Sequence, residues 1–361
     1  MQDKVAIGIL MNSLDMGGAE KQSLLQAKLM EVEFEVYYFV QKKKPRLKQH
    51  MDFIEKEQIN YIQLNGSVIS RAIQLNSYIR KYNIKVIFAY LTLDNFLAGI
   101  VSLFRKIKYI GGVRSSSLHP VKFWITFFLQ KYILDYMIFN NYYGKDLFVN
   151  RGFSANKSIV IQNCINNIQP EIRRAERDTI NVLSVGRFTA LKDYFTALKA
   201  MDLLKERSNT GNLHYTIVGD GELFDQIQSW IKELELSSVT VVRNPDDLDK
   251  YYRNADIYIL SSDSEGLPNT IMEAFNYSLP VVSTDVGDAA YLVKESETGY
   301  LIKPKDHIGM AEKIRDLADD ASLRKRLGIN GHRLLVREFS EKKLQQRYND
   351  FTRQVLSPGT T

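Results

Sequence analysis

At 361 residues the chain exceeds the roughly 250–300 over which a single hydrophobic core keeps growing, so two domains are expected. With 45% apolar, 25% charged and 11% aromatic residues, and only 8 Pro and 20 Gly, it is neither a disordered nor a collagen-like chain. The net charge of +6 is uneven: residues 1–170 carry 22 Lys and Arg against 12 Asp and Glu, a balance of +10, whereas the remainder carries −4, so the front half is expected to attract anions.

The run Val5–Met11 is too short for a secretory apolar segment and reads as a strand. Further strands are expected near Glu35–Val40, Tyr61–Leu64, Lys85–Tyr90, Lys108–Val113, Tyr136–Asn140 and Ile159–Gln162, with amphipathic helices between most of them. The apolar stretch Val86–Phe104 approaches membrane-spanning length, but Asp94 and Asn95 at its middle favour a strand, a turn and a helix. Around Asn167–Thr179 the pattern lapses, which places an interdomain linker there. It then restarts with strands at Asn181–Gly186, His214–Val218, Val239–Val242, Asp256–Ser261 and Leu279–Ser283, with helices such as Glu222–Leu236 between. Near-continuous apolar strands alternating with helices predict an α/β chain of two Rossmann-like, doubly wound domains facing across a cleft. The expected boundaries are 1–168, 169–340, and a helix over 341–361 that packs back on the first domain.

The only cysteine, Cys164, rules out an internal disulfide, and the five His are scattered rather than spaced as ligands, so no metal site is expected. The compartment implied is reducing and cytoplasmic, with Cys164 buried and inert. The aromatic run Phe123–Phe128 reads as helix packing, with membrane contact as the alternative.

Three segments carry chemistry. In the first turn after a strand, Gly17 and Gly18 precede a helix, so backbone amides are open to an anion, although no G-x-G-x-x-G fingerprint is present. Gly186-Arg187 follows a strand and Lys192 begins the next helix; two convergent cations suit a diphosphate. The third, Ser264–Ala274, puts Glu265 in a loop and Glu273 early in a helix whose first position is expected at Pro268. The amides of Asn269 and Thr270 lie between the two carboxylates, which suits sugar hydroxyls beside phosphate.

The Glu-x7-Glu pair of Glu265 and Glu273, followed by Pro280–Gly287, resembles the retaining glycosyltransferases of family four. Gly17–Glu20, Gly186-Arg187 with Lys192, Ile217–Gly221 and Gly299–Pro304 occur in that family's order. The resemblance implies a GT-B fold, a first domain that binds the acceptor and a second that binds a nucleoside diphosphate sugar, most commonly a UDP-sugar, without a metal or other cofactor. It implies that Glu265 contacts the transferred sugar, Glu273 the ribose, and Arg187 and Lys192 the diphosphate. Gly17, Gly18, Gly186, Gly219, Gly266, Leu267, Pro268, Asn269 and Thr270 would complete the donor site. Many relatives carry a His after the fourth or fifth strand; here Arg114 stands in that region, and Arg114 and Asp94 are the acceptor-side candidates. The glycine usual before the Pro280 strand is replaced within Asn276–Leu279, and Asp288 stands where a second glycine is common.

The expected activity is retaining transfer to a glycan or lipid-linked acceptor, with a sugar-nucleotide epimerase on the same scaffold as the alternative. The basic first half, with the Lys42–Lys48 cluster, is expected to meet an anionic membrane at its cytoplasmic face. Nucleic acid is not an expected partner, since no binding signature accompanies the charge.

Overall fold

The computed structural model describes residues 4–15, 18–43, 47–115, 118–174, 177–205 and 212–357. They form two compact units, 1–164 with 341–361, and 165–340.

In the first unit, β1 (Ala6–Met11), β2 (Glu35–Val40), β3 (Asn60–Gln63), β4 (Val86–Ala89), β5 (Lys108–Val113), β6 (Tyr136–Phe139) and β7 (Ser158–Val160) make one parallel sheet, ordered β3-β2-β1-β4-β5-β6-β7. Alternation along each strand feeds two apolar layers. Ile7, Ile9, Val36, Tyr38, Val86 and Phe88 point into one, and Leu10, Tyr37, Phe39, Ile87 and Ala89 into the other. Helices cover both faces, which explains why these strands are apolar throughout rather than alternately polar. The last helix, Glu341–Leu356, belongs to this unit. Its Leu344, Tyr348, Phe351 and Val355 pack into the first layer, and Arg353 donates to both oxygens of the Glu33 carboxylate.

In the second unit, β8 (Thr179–Val185), β9 (Asn212–Gly219), β10 (Val239–Arg243), β11 (Ile257–Leu260), β12 (Val281–Thr284) and β13 (Gly299–Ile302) form a parallel sheet ordered β10-β9-β8-β11-β12-β13. Here too the strands feed two layers, Val182, Tyr215, Ile217, Ile257, Ile259 and Val282 on one face and Leu183, Val218, Tyr258, Leu260 and Val281 on the other. The strand β13 is an addition to the sequence reading.

The expected linker is tied down rather than loose. Arg174 donates to the carbonyls of Ala255, Tyr252, Tyr277 and Ser278, and Ile172 N–H to Ser278 Oγ at 3.1 Å. Burial lowers the Arg174 pKa to about 10. Ser278 adopts φ 53°, a left-handed conformation that favours glycine. A serine there makes one bond that a glycine could not, from Ile172 N–H to its hydroxyl, at the position of the departure noted before Pro280.

Candidate functional site

The sheet of the second unit reverses its winding between β8 and β11, and in parallel α/β sheets ligands bind where such a reversal meets the carboxyl ends of the strands. All the donor-side candidates of this unit lie on the loops leaving β8, β9 and β11, or on the helix after β11.

The β8 and β9 loops touch so closely that they demand glycine. A Cβ on Gly219 would lie 1.8 Å from Gly186 O, and one on Gly186 would crowd Lys192 Cε at 3.3 Å. Gly186 N–H donates to Val218 O at 2.9 Å and Phe188 N–H to Asp220 O at 2.8 Å, which fixes the path of the chain past Arg187. Arg187 itself is exposed, and its side chain makes no hydrogen bond among the described residues. A short 3-10 turn, Ala190–Lys192, and a left-handed Asp193 (φ 42°) lead into the helix Tyr194–Leu204, so Lys192 sits in the turn just before the helix rather than in its first turn.

This turn is bonded to the loop after β11. Ser261 Oγ donates to Lys192 O at 2.9 Å, and Asp263 N–H to Leu191 O at 2.8 Å. Lys192 Nζ consequently lies 2.6 Å from Glu265 Oε1, which also accepts from Ser262 Oγ at 2.7 Å. Both partners of the ion pair are largely shielded from solvent.

From β12 comes the support beneath this loop. Gly287 (φ 57°) lies against its backbone, where a Cβ would be 2.3 Å from Glu265 O and 2.5 Å from Gly266 O. Asp288 N–H donates to Gly266 O at 2.7 Å. Leu267 and Pro268 are buried, and Asn269 is exposed. Pro268 is the residue before the helix rather than its first position; the helix runs Asn269–Asn276. The amides of Asn269 and Thr270, in its first turn, have no acceptor within the helix and are suited to an anion. Glu273 follows on the same helix and accepts from Tyr252 Oη at 2.7 Å. Burial, and then this carboxylate, hold the Tyr252 hydroxyl well above its ordinary pKa.

Arg187, Lys192, Glu265, Glu273 and the Asn269–Thr270 amides thus lie on neighbouring loops and one helix at the same edge of the sheet. Ser262 and Tyr252 were missed, and Gly287 was read only as the end of the Pro280–Gly287 run. Ser262 sits three residues before Glu265, a spacing at which a loop hydroxyl reaches a carboxylate; Tyr252 gave no signal at all. Among the described residues no three His, Cys, Asp or Glu side chains gather as ligands for a metal ion.

Over residues 166–334 the chain matches the family model of the glycosyl transferases group 1. The second unit belongs to that family. This group 1 domain carries the whole edge just described. Across 168 residues the chain is 30% identical to the lipopolysaccharide core biosynthesis glycosyltransferase LpsE of Rhizobium meliloti, covering 46% of this chain and 48% of that one. It spans about half the length of several curated relatives that it matches. A longer match, 25% identical over 339 residues, covers 88% of this chain and 92% of a Campylobacter jejuni enzyme, N-acetylgalactosamine-N,N'-diacetylbacillosaminyl-diphospho-undecaprenol 4-alpha-N-acetylgalactosaminyltransferase. The structure of Anabaena HepE in complex with UDP and glucose superposes with a TM-score of 0.76 at 17% identity, over 97% of this chain and 100% of that one. The fold is GT-B.

In the first unit Gly18 opens the helix Gly18–Met30 with no atom within 4 Å of where its Cβ would stand, so its backbone is open to solvent; Gly17 lies outside the described residues. Asp94 is fully buried. Gln41 Nε2 donates to one of its oxygens at 2.7 Å and Leu91 N–H to the other at 2.9 Å, so it caps the helix Thr92–Ser102. Burial pushes its pKa up to about 8. The carboxyl of Asp94 therefore faces its own network and no solvent. Arg114, at the end of β5, stacks on Tyr90 with 4.3 Å to the ring centroid and donates to Tyr348 Oη at 3.2 Å. Cys164 is buried, which pushes its thiol up to about 12.

Proposed function

We propose that the protein is a retaining glycosyltransferase that moves a sugar from a nucleoside diphosphate sugar, with uridine as the base, to a glycan or lipid-linked acceptor in polysaccharide or glycoconjugate assembly. The observation that carries this reading is the gathering of Arg187, Lys192, Glu265, Glu273 and two free helix-start amides at the β8/β11 reversal. Relatives named for lipopolysaccharide core synthesis and for an undecaprenol-linked acceptor, and a GT-B structure holding UDP, support it.

The chemical demand is negative charge on a departing diphosphate. Fixed cations and amides aimed at that charge lower the barrier, because they are already oriented when it develops. Arg187, Lys192 and the Asn269–Thr270 amides take this task, which needs no metal ion. Glu273 holds the ribose hydroxyls, in an orientation set by Tyr252, and Glu265 holds the transferred sugar. Arg114 faces the acceptor, whereas Asp94 acts through Gln41 and the helix start that it caps. Retention follows if the acceptor attacks on the face the diphosphate leaves, with a donor phosphate oxygen taking the acceptor's proton, so that no protein nucleophile is required.

The epimerase alternative gains no support, since the relatives found are transferases. No helix among the described residues is long and apolar enough to cross a membrane. The reading places the protein in the cytoplasm, with its basic first half attracted to an anionic membrane surface. The test is turnover: incubated with UDP-sugars and a lipid-linked glycan acceptor in excess chelator, the protein is expected to release UDP only when acceptor is present and to form a product of unchanged anomeric configuration. Conversion of the sugar nucleotide without acceptor, or activity restored only by a divalent metal, overturns it.

A further inference from the structure

At the amino-terminal edge of the first sheet, opposite the edge at which Asp94 and Arg114 lie, is an open pocket of about 770 Å3. Lys85, Arg105, Lys106 and Lys108 line it, and the only acidic residue there, Asp135, is paired with Lys108 at 3.3 Å. Arg105 spends its Nε on Asn76 Oδ1, and Lys106 makes no hydrogen bond or ion pair among the described residues. Tyr109 also lines the pocket. It is 1% exposed, and its hydroxyl has no hydrogen-bond partner among the described residues. Lys85 Nζ donates to Asn83 Oδ1 at 2.6 Å, so Lys106 and the remaining donors of Lys85 and Arg105, beside a buried, unsatisfied hydroxyl, make a site suited to a phosphate-type anion.

What surrounds the pocket selects the kind of anion. Leu103 (73% exposed) and Tyr132 (64%) line it, Phe104 (70%) is exposed next to Leu103 in the chain, and Phe128 (56%) and Trp124 (65%) continue from Tyr132 at four-residue spacing along the helix Pro120–Tyr132. That helix packs on Thr92–Ser102 so closely that a Cβ on Gly99 would lie 2.7 Å from Leu129 Cδ2, so the two share one flank. From Asn95 to Leu134, forty residues, the chain has no Asp or Glu but six Lys and Arg. A free anion gains nothing from such an apolar rim. A phospholipid does, because its acyl region lies beside its phosphate, and aromatic side chains favour that boundary.

We propose that this flank seats on an anionic phospholipid surface, with a lipid phosphate in the Lys85–Arg105–Lys106–Tyr109 pocket and Leu103, Phe104, Trp124, Phe128 and Tyr132 in the interfacial layer. The proposal rests on the transferase reading only in that a lipid-linked acceptor gives the contact a purpose, and binding is measured without turnover, so either can fail alone.

The experiment is sedimentation of the full chain with phosphatidylcholine vesicles, with and without phosphatidylglycerol, across a salt series. Binding is expected only with phosphatidylglycerol and should weaken as salt rises. Each lost cation is expected to cost about fivefold, so Arg105→Gln/Lys106→Gln should weaken binding about twenty-fivefold. Trp124→Ser/Phe128→Ser should also weaken it, and Lys42→Gln/Lys43→Gln/Lys48→Gln should change it less than Arg105→Gln/Lys106→Gln does; unchanged thermal midpoints establish that the variants fold. The proposal is overturned if the vesicles are ignored, if the Lys42 variant rather than the Arg105 variant loses binding, or if inorganic pyrophosphate binds through Arg105 and Lys106 while vesicles do not.

Discussion

Lys192 Nζ lies 2.6 Å from Glu265 Oε1, so a cation and a carboxylate that the sequence reading gave separate partners, the diphosphate and the sugar, hold each other. Both are mostly shielded from water, so removing either leaves the other poorly compensated. Lys192→Ala and Glu265→Ala should each destabilise the second unit, while the double variant loses less than the sum, with a coupling of about 0.5–3 kcal/mol. Urea denaturation of the four proteins measures it, and strictly additive losses would show that the pair contributes nothing. In turnover, Lys192→Ala and Arg187→Ala should lower kcat more than they raise KM, because the charge they face is largest in the transition state.

Gly287→Ala tests the backing of the Glu265 loop. An alanine at φ 57° costs about 1–2 kcal/mol in backbone strain alone, and its Cβ would meet Glu265 O at 2.3 Å, so the loop has to move. We expect a lower thermal midpoint and donor affinity reduced at least tenfold. Donor affinity equal to wild type would mean that the loop's placement is not needed for binding.

How much of this was readable in the sequence depended on distance along the chain. The apolar runs marked most strands, because a strand buried on both faces must be apolar throughout. The strand β13 escaped, being four residues long and opening on Gly299. The Glu265–Glu273 loop was legible because its chemistry is contiguous. The Lys192–Glu265 pair joins residues 73 positions apart, and Tyr252 reaches Glu273 from a neighbouring helix; such partners exist only once the sheet is assembled. Asp94 is an acceptor-side candidate in the sequence, and only the folded chain reveals Gln41 and Leu91 N–H bonding its two oxygens.

The buried Asp94 carboxyl, pushed up to about 8, makes stability depend on pH. An unfolded aspartate titrates near 4, so the folded protein holds this proton more tightly between about pH 4 and 8. Its contribution is therefore complete below about pH 4 and is lost as pH rises through about 8, by up to about 1.4 kcal/mol per pH unit. Asp94→Asn should flatten that part of the difference curve. Parallel stability curves for wild type and variant between pH 5 and 8 would show that Asp94 is already ionised.

Glu273→Ala should weaken nucleotide binding about tenfold or more, since lost hydrogen bonds to a charged acceptor cost about 1.5–3 kcal/mol. Tyr252→Phe should do so by less, because it removes only the hydroxyl that orients the carboxylate. If Tyr252→Phe weakened binding more than Glu273→Ala, the ribose would have to be read by a different group.

Calorimetric titration of the full chain with UDP in excess chelator tests the central claim most directly. Saturable binding to one site is expected, weakened by Arg187→Ala and by Glu273→Ala and unchanged by Arg105→Gln. Failure of UDP and of every other nucleoside diphosphate to bind, or binding indifferent to both Arg187 and Glu273, would contradict a donor site at the β8/β11 edge.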